Sequence, residues 1–425
     1  MTETANQLLS RAVPVCTWQT PGSTASTHPA NPLFPEVARE WRFFSRSVNS
    51  YRNIPGGQFQ VFPTDAQDLC VERDSTLRFF TNILWPIKTL LGGAEFHTRR
   101  TEVLGAPDYI LCTNNPTTAK MPVEVQTRHN LRLGDHNLWE VYRYADRNQI
   151  EDENFQFKKR ILSQVFGQMA CNGLHFGILT NYSDTYFLKR LENEPTNLYV
   201  SRVVHPDSTN PTLRECVYYI CQQAINDNVG NRLDPVSDDD KRKSSSDLGS
   251  RKRVIASSSK RITRIGEYIG GGTFGKVFSG YYDGQLVAWK TCDAYKEQEA
   301  TKMLKHEAHV YSILKECQGR AIPHLFHQGY IYDGYLFALV LQLIEDAHHV
   351  DPERLTKEDK TSIVNQLKSI HNCGVLHNDI SKQNVLYEPK SRHYFFIDFG
   401  LSEIVDNESA KLRKEERRLK RFLQL

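Results

Sequence analysis

A short stretch near the C-terminal end of the chain carries the side chains best suited to catalysis. Asp379 stands two residues after His377 and five residues before Asn384, and a further aspartate, Asp398, follows an apolar run. A carboxylate can accept the proton of an acceptor hydroxyl, and carboxylate and amide oxygens are ligands that Mg²⁺ prefers. The spacing therefore predicts metal-assisted phosphoryl transfer, in which Asp379 faces the acceptor while Asn384 and Asp398 hold Mg²⁺.

A glycine-rich segment upstream supplies the nucleotide-binding half of such a site. Its glycines would let a turn approach the phosphates closely, where a Cβ atom would clash. Lys290, at the end of a predicted strand, would then bind the α- and β-phosphates of ATP. The residues expected to bind the nucleotide are Gly270, Gly272, Gly275, Val277 and Lys290.

Lys290 needs a carboxylate to orient its ammonium group, and the sequence offers two. Glu307 lies within a helical pattern whose apolar residues suit a helix packed on the sheet, so it is the preferred partner and a nucleotide-site residue. Glu299, earlier in the same helical stretch, is the alternative.

These motifs, in this order and at these spacings, resemble the eukaryotic-type protein kinase superfamily. The resemblance covers residues 262–425. It implies a two-lobed α+β kinase that uses ATP and Mg²⁺ to phosphorylate a hydroxyl of a protein substrate, with Ser or Thr as the expected acceptor. It also implies that Lys290, Asp379 and Asn384 are the catalytic residues.

The same segment departs from the family pattern. Asn378 stands where most protein kinases have Arg, and Ser381 where they have Lys, with Lys382 one place later. No Ala-Pro-Glu follows Asp398-Phe399-Gly400, and only 25 residues remain. A truncated C-lobe is therefore expected, as in the small RIO-type kinases, and the His-Asn-Asp sequence recurs in choline and aminoglycoside kinases. Without the Arg, switching by phosphorylation of an activation loop is not expected.

A looser pattern lies in the first half of the chain, where Asp108 begins one predicted strand and Glu124 lies on another. It resembles the PD-(D/E)xK nucleases, which implies a restriction-endonuclease-like α/β fold with Asp108 and Glu124 as Mg²⁺ ligands and DNA as a partner. Gln126 stands where those enzymes have the lysine that activates water, and Arg128 or Lys120 could partly substitute. The alternative is an α/β interaction domain whose carboxylates are merely exposed.

Composition divides the chain into four predicted segments. Prolines among Ser and Thr predict a disordered or loosely attached arm over residues 1–39. The nuclease-like domain follows over 40–228. Residues 229–261 are low in complexity and highly charged, which predicts a flexible linker. The kinase-like domain occupies 262–425.

The linker and the cysteines bear on localisation. Lys241-Arg242-Lys243 and Arg251-Lys252-Arg253 predict nuclear import, with an ordinary solvated linker as the alternative. The first residues lack a secretory signal, and no apolar run is long enough to cross a membrane. Nine scattered cysteines without a Cys-x-x-Cys motif indicate a reducing compartment, with neither a disulfide framework nor a zinc site.

A nuclease-like domain joined by a charged linker to a short kinase domain resembles the Crinkler-type effector and toxin proteins of fungi and oomycetes. That resemblance implies nuclear action, and it leaves secretion into a host possible without a signal peptide. The family's ubiquitin-like header and its Leu-Phe-Leu-Ala-Lys motif are absent from this sequence.

Two rival functions remain open at this stage, a nuclease with a regulatory kinase domain and a nucleotide-binding pseudokinase scaffold. The net charge of +3 is too small to indicate nucleic-acid binding by itself. The segment Lys411–Arg421 nevertheless holds seven cations against Glu415 and Glu416. Such a segment suits either a solvated helix face or a surface that docks an acidic or nucleic-acid partner.

Overall fold

The structure is a computed structural model that describes most of the chain, in two compact units that divide near residue 234. Arg128 and both basic triplets of the predicted linker lie outside the described residues. The described residues are 1–17, 35, 37–69, 72–98, 100, 102–114, 117–127, 131, 137–140, 142, 153–228, 230, 262–332 and 334–425, with only the backbone for 153–158.

The N-terminal unit combines strands and helices, as the sequence predicts. Its strands are β1 Thr2–Thr4, β2 Val37–Glu40, β3 Gln58–Gln60, β4 Glu95–His97, β5 Tyr109–Asn114, β6 Thr117–Val125, β7 Phe176–Thr180, β8 Thr185–Leu191 and β9 Glu194–Val200. Its helices are α1 Ala5–Ser10, α2 Phe44–Ser50, α3 Glu72–Phe79, α4 Trp85–Lys88, α5 Glu153–Cys171 and α6 Leu213–Asn226, with a π-helical turn, Phe80–Leu84, between α3 and α4.

Seven of the described strands form one mixed sheet in the order β2-β9-β8-β7-β6-β5-β4. β6 is parallel to β7, and α5 makes the crossover that a parallel pair requires. One face of the sheet packs on α5, whose residues Ile161, Val165 and Met169 are buried there, as their helical spacing predicts. The other face packs on α1, α2 and α6.

The apolar spacing of residues 74–91 predicts a helix with a kink at Pro86. In the structure this segment forms α3, the π-helical turn and α4. Pro86 lies in the first turn of α4. Because proline lacks an N–H and its ring clashes with the preceding turn, the chain widens into the π-helical turn just before it.

The first 17 residues differ from the loosely attached arm that we predict for 1–39. β1 pairs with β3, and Leu8 and Leu9 of α1 are buried in the core beside α6. The Thr212 hydroxyl also donates to the Leu9 carbonyl at 2.6 Å. The many prolines of residues 1–39 made the apolar face of this short helix hard to recognise in the sequence. The folded unit therefore begins well before residue 40.

The C-terminal unit begins with an antiparallel sheet in the order β10-β11-β12-β14-β13. Its strands are β10 Arg264–Gly272, β11 Gly275–Tyr282, β12 Gln285–Asp293, β13 Leu325–Ile331, β14 Leu336–Gln342, β15 His348–His349, β16 Val375–Leu376, β17 Val385–Glu388, β18 His393–Phe396 and β19 Glu403–Ile404. Its helices are α7 Gln298–Ile313, α8 Lys357–Asn372 and α9 Ala410–Phe422, with 3₁₀ turns at Lys315–Cys317 and Lys382–Asn384.

The helical part of this unit is small. α8 packs beneath β16 and β18, and α9 packs on α8 and β16. Leu419 and Leu423 of α9 join the same core as Leu367 of α8. The chain therefore reaches α9 only ten residues after Gly400, which leaves little room for an activation loop. No helix in the described ranges is both long and apolar enough to span a bilayer.

Candidate active site

Lys290, on β12, is held between two carboxylates. Its Nζ lies 2.6 Å from Glu307 Oε2 on α7 and 2.8 Å from Asp398 Oδ1. Glu307 is the partner that its helical spacing favours. Glu299 instead pairs at the surface with Lys302. The arrangement fixes the lysine in one place before any nucleotide arrives.

Lys290 and Asp398 each favour their charged form. Burial alone would lower the pKa of Lys290, but the Glu307 and Asp398 carboxylates outweigh burial and raise it. Burial would raise the pKa of Asp398, but the Lys290 ammonium outweighs that and lowers it. Lys290 is therefore protonated and Asp398 ionised near neutral pH, the states needed to bind phosphate and a divalent cation.

The glycine-rich segment forms the hairpin between β10 and β11. A Cβ added at Gly270 would meet open space, and one at Gly272 would lie 3.8 Å from Asp398 Oδ2. A Cβ at Gly275 would crowd the Thr291 carbonyl at 3.1 Å. Glycine at 275 thus serves the hairpin itself, whereas Gly270 borders open space and Gly272 lies beside Asp398. Val277 pairs with Lys290 across β11 and β12, so it lines the same face.

The loop after β16 brings the predicted catalytic side chains together. Asn384 Nδ2 donates to both the carbonyl and the Oδ2 of Asp379, each at 2.8 Å. His377 Nε2 lies 3.1 Å from the Ile397 carbonyl, and the Asp379 N–H donates to His377 Nδ1 at 3.3 Å. Burial lowers the pKa of His377, so the neutral ring protonated at Nε2 satisfies both contacts.

Asn378, in the place of the usual Arg, has a partner of its own. It adopts a left-handed conformation with φ 66°, which Asn tolerates better than most residues. Its Nδ2 donates to the Leu401 carbonyl at 3.1 Å. His306 of α7 binds the next carbonyl, that of Ser402, at 2.7 Å. Direct hydrogen bonds thus hold the segment after Gly400, without a phosphorylated side chain.

Glu415 on α9 is a site residue that the sequence motifs do not reveal. Its carboxylate accepts the backbone N–H groups of His377 at 3.0 Å and Asn378 at 2.7 Å, and lies 2.9 Å from His371 Nε2. It therefore fixes the backbone immediately before Asp379. One feature of the sequence could have revealed Glu415. It lies on the same helix face as Leu412 and Leu419, where the helical spacing predicts a buried side chain.

The N-terminal unit holds the second set of candidate residues. The register Tyr109↔Val123 between β5 and β6, extended by one residue, places Asp108 opposite Glu124. The Asp108 carboxylate also accepts the Val125 N–H at 2.8 Å. Opposed residues of antiparallel strands have Cβ atoms about 5 Å apart. The two carboxylates thus share one end of the sheet, although ion binding there stays a prediction.

Three amides surround Glu124. Its Oε1 accepts from Gln164 at 2.7 Å and from Gln126 at 3.4 Å, and its Oε2 from Gln168 at 2.8 Å. Lys120 does not substitute for the missing lysine, because its Nζ donates to the Asp227 carbonyl at 2.7 Å. Among the described residues, no three His, Cys, Asp or Glu side chains cluster as a metal site in either unit.

The sequence of the C-terminal unit matches known proteins over the region that builds the Lys290 site. Residues 263–419 match the protein kinase domain family. This region is a protein kinase domain. The restriction-endonuclease-like assignment of the first unit stays a prediction.

The relatives of the kinase domain include serine/threonine kinases. They include the probable serine/threonine-protein kinase fnkB of Dictyostelium discoideum (30% identity over 118 residues; 28% of this chain, 21% of the relative). A probable casein kinase I homolog of Encephalitozoon cuniculi matches at 35% over 147 residues (32% and 43%), and the MAP kinase kinase kinase win1 of Schizosaccharomyces pombe at 25% over 191 (38% and 12%). The chain thus spans less than half the length of each of these relatives.

Proposed function

We propose that this protein is an ATP- and Mg²⁺-dependent protein kinase that transfers the γ-phosphate of ATP to a Ser or Thr hydroxyl of a protein substrate. The observation that carries the proposal is Lys290 held between Glu307 and Asp398. A protonated lysine fixed beside an ionised aspartate is suited to bind nucleotide phosphates together with their metal ion.

The residues around the site fit the nucleotide. A Cβ at Gly270 would enter open space, and a Cβ at Gly272 would lie 3.8 Å from Asp398 Oδ2, so glycine at both positions leaves room for phosphate groups. Asn384 uses Nδ2 for both bonds to Asp379, so its Oδ1 is the atom it would offer to Mg²⁺. Two protein oxygens are few for a metal site, but Mg²⁺ in kinases takes its remaining ligands from phosphates and water.

Each residue has a defined part in transfer. When bound, Mg²⁺–ATP supplies the γ-phosphoryl group and the metal charge that stabilises the leaving diphosphate. Lys290 neutralises the non-transferred phosphates, and Asn384 holds Asp379 in position. Asp379 accepts the acceptor hydroxyl proton as that oxygen forms its bond to the γ-phosphorus and the bond to the leaving ADP breaks. Asp379 then releases the proton to solvent.

A radiolabelled-ATP assay tests this function directly. The full chain with Mg²⁺ is expected to label itself or an added protein on Ser or Thr, with or without nucleic acid. ATP binding without transfer would indicate the pseudokinase scaffold instead, and neither binding nor transfer would end the kinase proposal. Transfer only with nucleic acid would favour a regulatory kinase domain.

A second candidate function for the N-terminal unit is nucleic-acid binding. The opposed Asp108 and Glu124, on strands followed by an α5 crossover to a parallel strand, support a nuclease-like fold. With Gln126 in place of the water-activating lysine, we expect DNA cleavage to be weak or absent. Gel-shift and cleavage assays with Mg²⁺ distinguish binding from hydrolysis.

Nuclear localisation is a further part of the proposal. It is supported by the two basic triplets at 241–243 and 251–253 and by the Crinkler-type resemblance. A fluorescent fusion is expected to accumulate in nuclei and to lose that accumulation when both triplets become alanine. Equal nuclear accumulation of the mutant would refute the role of the triplets.

A further inference from the structure

Helix α9 has two chemically opposite faces. Leu412, Glu415 and Leu419 are buried. With about 3.6 residues per turn, five exposed cations fall together on the other side of the helix. This basic stripe consists of Arg413, Lys414, Arg417, Arg418 and Arg421.

The stripe lacks acidic partners within the part of the chain that the structure describes. The ion pairs of α9 are made by Lys411 with Glu403, by Lys420 with Glu416, by Glu416 with Lys368 and by Glu415 with His371. The five stripe cations enter none of these pairs. Clustered like charges repel one another and raise the free energy of the unbound protein. An anionic partner on the stripe would lower it.

The charge of the kinase domain is strongly segregated. Residues 262–409 contain 15 lysines and arginines against 20 aspartates and glutamates, a net charge of −5. α9 contains seven lysines and arginines against two glutamates, a net charge of +5. The small net charge of the whole chain therefore conceals a kinase domain in which α9 has a net positive charge and the residues before it have a net negative charge.

The helix that carries the stripe also holds the catalytic loop. Glu415 binds the N–H groups of His377 and Asn378, directly before Asp379. The stripe occupies the opposite side of the same helix, about one helix diameter away, roughly 10–12 Å. A ligand on the stripe is thus near the acceptor site without blocking it.

We propose that the basic stripe docks an acidic segment of the protein substrate, whose acceptor hydroxyl then reaches Asp379. This inference rests on the proposed kinase function. The stripe from Arg413 to Arg421 is about 12 Å long, at 1.5 Å per residue. About four residues of extended peptide span that length. A nucleic-acid duplex is longer than the stripe and would extend over the rest of the kinase domain, whose net charge of −5 disfavours phosphates.

The test uses two synthetic peptides that share one serine acceptor and differ in a run of four residues, glutamates in one and glutamines in the other. Binding is measured by fluorescence anisotropy with the full-length Asp379→Asn protein, which separates binding from turnover. We expect about tenfold tighter binding of the glutamate peptide at low ionic strength, since several weak exposed ion pairs act together. High salt should abolish this preference.

The matched variants remove equal charge from two surfaces. The stripe variant combines Arg413→Gln, Arg417→Gln and Arg421→Gln. It should reduce the ratio of the affinities for the glutamate and glutamine peptides to nearly one. Lys315→Gln with Lys357→Gln and Lys390→Gln, also exposed, should retain it. In the active protein, the stripe variant should raise KM for the glutamate peptide and leave the rate with the glutamine peptide unchanged.

Equal binding of the two peptides by the wild-type protein would overturn the proposal. If duplex DNA or RNA binds the stripe more tightly than the glutamate peptide does, the partner is nucleic acid and the proposal is wrong. If sedimentation shows self-association that the stripe variant loses, the partner is a second copy of the chain and the proposal is also wrong. Absence of radiolabel transfer from ATP to the chain itself and to any added protein would defeat the kinase function, while the anisotropy preference, measured with the Asp379→Asn protein, would still decide the docking surface.

Discussion

Two buried glutamates, Glu307 in the kinase domain and Glu124 in the N-terminal unit, are equally hidden from solvent and differently partnered. Glu307 is 1% exposed and binds the Lys290 ammonium, whereas Glu124 is 0% exposed and accepts from neutral amides of Gln126, Gln164 and Gln168. A buried carboxylate is costly in either setting, because ionised groups lose their hydration.

The difference lies in what each carboxylate leaves for a ligand. The Glu307–Lys290 pair leaves the ammonium beside Asp398, where phosphate and metal charges can join the network. The amides around Glu124 occupy both of its oxygens and bring no positive charge to activate water. Burial of a carboxylate by itself is thus a weak sign of catalysis, and the described contacts of the two glutamates differ in that those of Glu307 include a lysine while those of Glu124 include amides.

The largest effect should follow from removing a charged group of the kinase site. Lys290→Ala, Asp379→Ala and Asp398→Ala should each reduce phosphoryl transfer by about three orders of magnitude or more, since each removes electrostatic stabilisation of the transition state. Lys290→Ala should also weaken ATP binding, whereas Asp379→Ala should retain it. Radiolabel transfer and nucleotide titration measure the two effects.

The control for these variants is Asp406→Asn, which removes one exposed carboxylate from the same domain. It should retain wild-type transfer. Retention of more than a tenth of the activity by Asp379→Ala would contradict its role as the proton acceptor.

The next effect concerns stability in the other region. Glu124→Ala should destabilise the N-terminal unit by about 3 kcal/mol, because it leaves buried amide donors without their acceptor. Glu124→Gln, which still offers one acceptor oxygen, should cost less. Hydrogen exchange of α5 and β6 reports the loss locally, and thermal unfolding of the full chain reports it overall.

DNA cleavage assays with Glu124→Ala test the function of the N-terminal unit. Wild-type protein should cleave DNA weakly or not at all in Mg²⁺. Robust cleavage that Glu124→Ala abolishes would show that amides around a carboxylate suffice for hydrolysis. A neighbouring lysine would then not be required for catalysis at a buried carboxylate.

An intermediate case is Glu415, a carboxylate that accepts backbone N–H groups but lies beside the catalytic loop. Glu415→Gln should lower kcat by about tenfold, or about 1.4 kcal/mol, because one acceptor oxygen becomes a donor facing a backbone N–H. KM for ATP should stay close to wild type, since no nucleotide-site residue is touched. The neighbouring Glu416→Gln, which alters only surface pairs with Lys368 and Lys420, should leave kcat unchanged.

A change in KM for ATP as large as the change in kcat would assign Glu415 a general structural role instead. Unfolding measurements on both variants guard against that explanation. A Glu415→Asp variant, which keeps the charge, should recover part of the lost rate.

The placement of the candidate kinase-site residues was predictable from sequence because they lie in short motifs with fixed spacing. Asp379 and Asn384 are five residues apart and meet within one loop, and the choice of Glu307 needed only the helical period. Glu415 was not predictable in the same way. Its contact with residues 377 and 378 depends on how α9 folds back, which no local pattern specifies.

The first half of the chain shows the same division. The strands and helices from β5 to α6 follow the apolar periodicity closely. One boundary differs, because the sequence predicts a strand over residues 198–204 and β9 spans Glu194–Val200. The prediction of a loosely attached arm was wrong for the first 17 residues, because it rested on the average composition of residues 1–39. The short row of Leu8, Leu9 and Val13 supplies the buried contacts, and the prolines around it do not prevent them.

The smallest predicted effect is the loss of thermal stability at acid pH. It should differ between the buried carboxylate of Glu415 and the carboxylate of Glu416 near the surface. Burial would raise the pKa of Glu415, but hydrogen bonds from His371 and from the backbone N–H groups of Asn378 and His377 outweigh burial and lower it. A carboxyl with a lowered pKa stabilises the fold fully above its unfolded value, near 4.3, and loses that contribution as pH falls through the folded pKa.

The Tm of wild-type protein should therefore exceed that of Glu415→Gln at pH 5.5, and the gap should narrow steadily toward pH 3. The Lys420 hydrogen bond likewise lowers the pKa of Glu416, but this side chain lies near the surface, so Glu416→Gln should give a small and flatter difference. A gap for Glu415→Gln that stays constant across this range would mean that the glutamate contributes through shape alone. Its charge would then no longer distinguish it from the amide-bound Glu124.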